Sequence, residues 1–152
     1  MMQRDSVDLA RYIIEILSQK GEEYAPSNTK VQKLLYAYTG FALANKLNKE
    51  SIINELPEAW QHGPVFPKVF HVIKNNDIKS LGKKIKLSKA EEKILRKTID
   101  VLGRFSAGKL STWSHIYGSP WYIVWTVQEN EYGKIPLELI KEYFTNEVEN
   151  II

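Results

Sequence analysis

The chain has 152 residues, 43% hydrophobic and 26% charged, with a formal net charge of +3 and no cysteine. That length suits one domain with a real core, and no apolar run approaches the length of a membrane span. The missing cysteines exclude disulfides, thiol nucleophiles and cysteine-bound metal, and the mild charge falls short of a dedicated nucleic-acid binder. The start, Met1-Met2-Gln3-Arg4-Asp5-Ser6, leads straight into a mixed helix. It reads as no signal peptide, so the expected location is the cytoplasm.

Asp5 or Ser6 can cap a first helix to about residue 20, with Leu9, Tyr12, Ile13, Ile16 and Leu17 as its apolar stripe and Gly21 as its stop. After a loop over 22–26, Ser27 or Asn28 opens the longest helix, to about residue 45. Val31, Leu34, Leu35, Tyr38, Phe41 and Ala42 follow helical spacing, while Lys30, Lys33 and Thr39 fall on other faces. Tyr36 and Leu43 widen the apolar surface, which predicts a helix packed on more than one side. Gly40 and Ala44, four apart, allow a neighbouring helix to come close. Residues 46–57 are ambiguous; Ser51-Ile52-Ile53-Asn54-Glu55-Leu56 reads as an extended segment or short strand, so a small β-element is expected near 50–62.

The stretch 58–70, Glu-Ala-Trp-Gln-His-Gly-Pro-Val-Phe-Pro-Lys-Val-Phe, is the most distinctive. Gly63 admits backbone angles closed to other residues and Pro64 fixes its own φ, so together they predict a rigid corner. Pro64 also suits a first helical position, and Val65, Phe66, Val69, Phe70 and Val72 carry helical spacing. The expectation is a short amphipathic helix over about 64–74. Residues 75–86 form a polar connection with Lys79, Lys83, Lys84 and Lys86; no interleaved aromatic suits them to base stacking, and a solvated loop is expected.

Ser88-Lys89-Ala90-Glu91 is a capping box, opening a helix that Ile94, Leu95, Val101 and Leu102 carry to Gly103. Ser106 can cap the next, with Leu110, Trp113 and Tyr117 on one side and Gly118 as its stop. Ser119-Pro120 restarts at once, and Trp121, Val124 and Trp125 make that helix heavily aromatic. A polar loop over 128–134 precedes Pro136 and a last amphipathic helix marked by Leu137, Ile140, Tyr143, Phe144 and Val148. The fold class expected is mostly α: a single compact helical domain, residues 1–152, of about seven helices with a small β-element.

Chemistry is sparse. No Gly-x-Ser-x-Gly is present, and Gly103 to Lys109 lacks the spacing and the following Ser or Thr of a phosphate loop. His62, His71 and His115 show no metal-ligand spacing, so neither metal nor cofactor is expected and His62 and His115 are read as structural. Three of the four tryptophans, Trp113, Trp121 and Trp125, fall within thirteen residues. They glue the last helices to the corner, or Trp60, Phe66 or Trp121 rims a partner-binding groove.

Trp60-x-x-Gly63-Pro64-Val65-x-Pro67 resembles the signature of the SocA-like Panacea domain, a family that also occurs in phage-associated and prophage proteins. Lys30-Val31-Gln32-Lys33-Leu34-Leu35-Tyr36, continued by Gly40-Phe41-Ala42-Leu43-Ala44, resembles its first long helix. Leu110-Ser111 through Ser114-His115 to Pro120-Trp121 resembles its later element, with Ser114 where a Thr usually stands. The resemblance spans residues 30 to 121 in family order. It implies an antitoxin of a toxin–antitoxin system that binds a cognate toxin protein directly, without catalysis. It also leaves open an adaptor that delivers the toxin to a ClpXP-type protease. A hydrolase using His62 and His115 is a further alternative from the residues themselves. Lys33, Leu34, Tyr36, Trp60, Gly63, Pro64, Val65, Pro67, Ser114, His115, Pro120 and Trp121 are then structural motif positions. The exposed members among Tyr36, Trp60, Phe66 and Trp125 are the candidate partner anchors.

Overall fold

Asp5 starts the first helix, α1 (Ser6–Ser18), in the computed structural model of the chain, which describes residues 3–48 and 51–151 and side chains in the last helix as far as 146. The Asp5 carboxylate accepts from the backbone N–H of Val7 at 2.9 Å and of Asp8 at 3.1 Å, satisfying two donors that the first turn leaves orphaned. Leu9, Ile13, Ile16 and Leu17 are buried as the stripe predicts. The helix stops two residues short of Lys20. Gln19 and Lys20 donate instead to Ile16 and Leu17, a tightened 3₁₀-type turn.

The second helix, α2 (Asn28–Ala44), is capped by Ser27 and is the centre of the fold: every residue from Lys30 to Ala42 is buried. α1 covers one side, and the later helices α3 (Pro67–Lys74), α5 (Lys89–Leu102), α6 (Ala107–Ser114) and α8 (Leu137–Ile151) cover the others. Lys30, Gln32, Lys33 and Thr39 remain buried because each finds a partner, whereas the buried Tyr36 and Tyr38 hydroxyls have none among the described residues. Thr39 Oγ1 donates back to Leu35 O at 2.8 Å, and Lys30 Nζ donates to Glu23 O at 2.7 Å. Gln32 and Lys33 reach a neighbouring hairpin.

The close approach expected at Gly40 belongs to α8. A Cβ at Gly40 would lie 2.2 Å from Phe144 Cδ2, and that ring is wedged edge-on against Tyr36 at 5.3 Å and Phe41 at 5.0 Å. Gly40→Ala sets a helix-propensity gain of about 0.8–1 kcal/mol against an overpacking cost of roughly 1–3 kcal/mol or more. At 2.2 Å from a fully buried ring the clash wins. We expect a lower melting temperature in thermal denaturation, and an unchanged or raised one would mean that Phe144 can give way.

Ile53 lies beside the N-terminal segment and is not part of the later hairpin. Arg4 donates to Ile52 O at 2.9 Å and accepts from Asn54 N at 2.9 Å, bridging in parallel to Ile53. Positions 49 and 50 lie outside the described residues. The small β-element expected here is a two-stranded antiparallel hairpin, β1 (Glu58–Trp60) and β2 (Gly63–Val65), in the register Glu58↔Val65, Ala59↔Pro64, Trp60↔Gly63.

That hairpin corrects the helix expected over 64–74, because Pro64 lies in β2 and α3 starts at Pro67. Proline fits inside this strand because its partner asks for no N–H. Ala59 donates to Gly133 O and accepts from Tyr132 N, both at 2.8 Å, on its other edge. Pro67 then takes the first helical position, where a missing N–H costs nothing. The connection over 75–86 also differs from a plain loop by holding one helical turn, α4 (Ile78–Leu81).

Ser88 and Glu91 form the predicted capping box at α5, through Ser88 N to Glu91 Oε1 at 2.9 Å and Glu91 N to Ser88 Oγ at 3.1 Å. Glu91 also takes both ends of the Arg4 guanidinium at 2.8 Å, tying the N-terminus to α5. Burial pushes the Glu91 carboxyl up, but the bonds from Arg4 and Ser88 outweigh it and hold the group below its ordinary value. Ser119 caps α7 (Pro120–Tyr122), which continues as one π-helical turn, Ile123–Val127. Leu137 and Tyr143 of α8 pack against a core to which Ile140 and Phe144 belong, and the side chain of Val148 lies outside the described residues. Eight α-helices stand among the described residues, so the mostly α class holds, with α4 beyond the seven expected. No helix among the described residues is long and apolar enough to cross a membrane.

Candidate functional site

Gly63 organises the site. Its φ of +115° closes the hairpin in a region that side-chain-bearing residues avoid. A Cβ there would stand 2.3 Å from Ser114 Oγ and 2.8 Å from Lys33 Cε, so the backbone passes between α2 and α6 with room only for hydrogen.

Polar side chains clasp the hairpin from both sides. From α2, Gln32 Oε1 accepts from Phe66 N at 2.7 Å, Asn28 Nδ2 donates to Phe70 O at 3.0 Å, and Lys33 Nζ donates to Pro64 O at 3.1 Å. From the opposite side, Trp121 Nε1 donates to Trp60 O at 2.6 Å, and His115 Nε2 faces Gln61 O at 2.9 Å. The His115 Nδ1 faces Ser111 O in its own helix. Both nitrogens are thus occupied by backbone, and the ring lies edge-on to Trp121, with centroids 4.0 Å apart.

A pocket of about 200 Å³ opens between the hairpin and the N-terminal half of α2. Trp60, Phe70 and Tyr132 line it, with ring centroids 5.0 Å apart for Trp60–Phe70 and 6.1 Å for Trp60–Tyr132. The aromatic chain continues outward from Tyr132 to Trp125 at 5.5 Å and from Trp125 to Trp121, stacked at 5.5 Å. Gln32 and Lys33 line the same pocket and are each about 1% exposed, so they form its floor. Burial pushes the Lys33 amine down to about 8. A wider cleft of about 780 Å³ touches Arg4, Asp5, Lys68 and Lys83; Arg4 is paired there with Glu91 and Asp5 with Lys68 at 3.7 Å.

Residues 31–122, a span that contains every member of this clasp but Asn28, match the model of the family described as "Antitoxin SocA-like, Panacea domain". The chain is also 31% identical over 136 residues to Antitoxin SocA of Caulobacter vibrioides (strain NA1000 / CB15N), covering 78% of this chain and 71% of that protein. The chain belongs to the SocA-like Panacea family. No solved structure matches it.

The segments that carry the Panacea resemblance meet in space around the hairpin. Lys33 comes from α2, Trp60, Gly63, Pro64 and Val65 from the hairpin, and Ser114, His115, Pro120 and Trp121 from α6 and the start of α7. Leu34 and Tyr36 point elsewhere, into the core, with the Tyr36 ring 6.0 Å from Trp113. Pro67 starts α3.

Of the four candidate anchors, Tyr36 and Phe66 are withdrawn. Both are fully buried, Tyr36 because α6 and α8 close over α2, and Phe66 because it sits at the Gln32 clasp. Trp60 and Trp125 are half-buried and keep an accessible face. His62 is exposed at the hairpin tip and lines the pocket, whereas His115 does not line it. Among the described residues no group of three or more His, Cys, Asp or Glu is placed to hold a metal ion.

Sequence reasoning missed Tyr132, the floor formed by Gln32 and Lys33, and the π-helical turn beneath Trp125. The adjacent polar pair Gln32-Lys33 inside a helix with apolar residues on every side was the available signal: two polar side chains there need partners.

Proposed function

We propose that the chain is an antitoxin, acting as one domain over residues 1–152 in the cytoplasm, and that it neutralises a cognate toxin protein by binding it one to one. Membership of the SocA-like family is the observation that carries this reading. The arrangement of aromatics supports it and suggests where the toxin docks. Trp60, Trp125 and Tyr132 are linked ring to ring, and Tyr117 of the neighbouring α6–α7 connection meets Tyr122 of α7 with ring centroids 4.9 Å apart. Tyr117 is 83% exposed, and Ile116, Val127 and Tyr132 are exposed with it. Specific protein interfaces bury on the order of 1,200–2,000 Å² and concentrate their energy on a few such aromatics. The backbone beneath them is held from two sides by the clasp, so the surface is fixed before a partner arrives.

His115 does not suit the general base of a hydrolase, since both ring nitrogens already face backbone carbonyls. The test is expression of the gene adjacent to this one, with and without this chain. Growth rescue in normal and protease-deficient hosts alike, with the two proteins co-purifying, is the expected result. Rescue that vanishes in a host lacking a ClpXP-type protease would assign delivery for degradation instead. Rescue at far below equimolar antitoxin, with no complex recovered, would overturn binding altogether.

A further inference from the structure

Lys33 is a buried cation without an anion. Its amine makes one hydrogen bond among the described residues, to the neutral carbonyl of Pro64 at 3.1 Å, although an ammonium has three donors. No carboxylate forms an ion pair with it among the described residues, whereas Arg4, Arg11, Lys20, Lys68 and Arg96 all have one. The other buried lysine, Lys30, lies outside this pocket. A desolvated charge is costly unless an opposite charge joins it. Gln32 and Asn28 hold the neighbouring Phe66 N and Phe70 O, so from α2 it is Lys33 that bonds β2 itself, and one neutral carbonyl is less than an ammonium calls for.

The pocket above Lys33 supplies the missing space. At about 200 Å³ it falls below the 300–1,000 Å³ of sites for drug-sized ligands, and it has the scale of one side chain. Trp60, Phe70 and Tyr132 offer apolar surface for the methylenes of such a side chain, and Lys33 at the floor has donors that its one bond to Pro64 O leaves unused. We propose that this pocket is the acidic-residue socket of the toxin interface: an Asp or Glu side chain of the toxin inserts between Trp60, Phe70 and Tyr132 and pairs its carboxylate with the Lys33 ammonium. The inference rests on the proposed antitoxin reading and adds the chemistry of one contact to it. Its pairing is desolvated, so it acts on the dissociation rate and on specificity more than on encounter. It also gives Lys33 its counter-ion only in the complex, which makes the site selective against partners that present an uncharged residue there.

The test has two arms. In the first, each Asp and Glu of the toxin is changed to Asn or Gln, and binding to the unaltered antitoxin is measured by calorimetry. One position is expected to weaken binding about 30-fold or more, the scale for breaking a buried charge pair. That same change should have no further effect on a Lys33→Met antitoxin, which itself binds as weakly. Working from the toxin side avoids any folding defect in the antitoxin. In the second arm, N-acetyl-glutamate amide and N-acetyl-glutamine amide are titrated into the antitoxin alone while its tryptophan fluorescence is followed. The glutamate probe should perturb the signal and the glutamine probe should not. No response to the glutamate probe, or an equal response to both, overturns the inference whatever the toxin does. A glutamate response with no sensitive acidic position in a toxin that binds assigns the pocket to a free carboxylate ligand and overturns the commitment to the toxin. A toxin that fails to bind at all sinks the antitoxin reading, and with it the assignment of the pocket to a toxin side chain.

Discussion

Trp121→Ala is expected to lower stability by roughly 3–5 kcal/mol, the cost of emptying a site filled by a buried tryptophan. The side chain is 7% exposed, stacks on Trp125 and packs edge-on against His115. Its Nε1 also holds the Trp60 carbonyl at 2.6 Å, so the substitution strands an acceptor at the end of β1. For a chain of this size each kcal/mol moves the melting temperature by about 2–4 °C, so the loss amounts to about 6–20 °C. Trp121→Phe restores most of the bulk but not the N–H, and should fall between the two. Thermal denaturation of the three proteins measures this directly. A Trp121→Ala protein that melts like wild type but no longer binds the toxin would move Trp121 from the scaffold to the interface.

Gly63→Ala should be nearly as severe, for a different reason. The backbone at φ +115° disfavours any Cβ, at a cost of about 1–3 kcal/mol. The new Cβ would also meet Ser114 Oγ at 2.3 Å and Lys33 Cε at 2.8 Å. Neither can retreat freely: Ser114 Oγ donates to Ser111 O at 2.8 Å, and Lys33 lies along a buried path to Pro64 O. We expect a loss on the order of 3 kcal/mol or more, combining backbone strain with overpacking. Because the Cβ pushes on Lys33 itself, toxin binding should weaken beyond what the lost stability explains. A variant that folds and binds like wild type would show that the hairpin is not fixed by its passage between α2 and α6.

The sequence announced α2 through its apolar residues and α5 through its capping box, because both signals are local. It announced Gly63 as a corner for the same reason, since the demand for positive φ shows in the residue itself. The helix expected from Pro64 failed because two prolines three apart each suited a first helical turn. Pro64 belongs to a strand because β2 pairs with β1, and it is tolerated there because Ala59 turns its own hydrogen bonds to residues 132 and 133 on the far edge. Those contacts join positions more than seventy residues apart and leave no local trace. Lys33 was equally hidden. Helical spacing places it off the main stripe, which ordinarily means solvent, but α2 has no solvent side once α3, α5, α6 and α8 are in place. The aromatic residues split the same way: Trp60 and Trp125 keep an accessible face while Tyr36 and Phe66 vanish into the core, a distinction set by packing that composition does not carry.

On the proposed reading this chain silences a toxin by occupying it, through a surface held rigid around Gly63. Titration of purified toxin with purified antitoxin, following residual toxin activity alongside complex mass by light scattering, tests it most directly. Inhibition is expected to rise linearly with added antitoxin and to end at one equivalent, with the mass of a one-to-one complex appearing in step. Complete inhibition by a small fraction of an equivalent, with free toxin of altered mass and no complex, would contradict it.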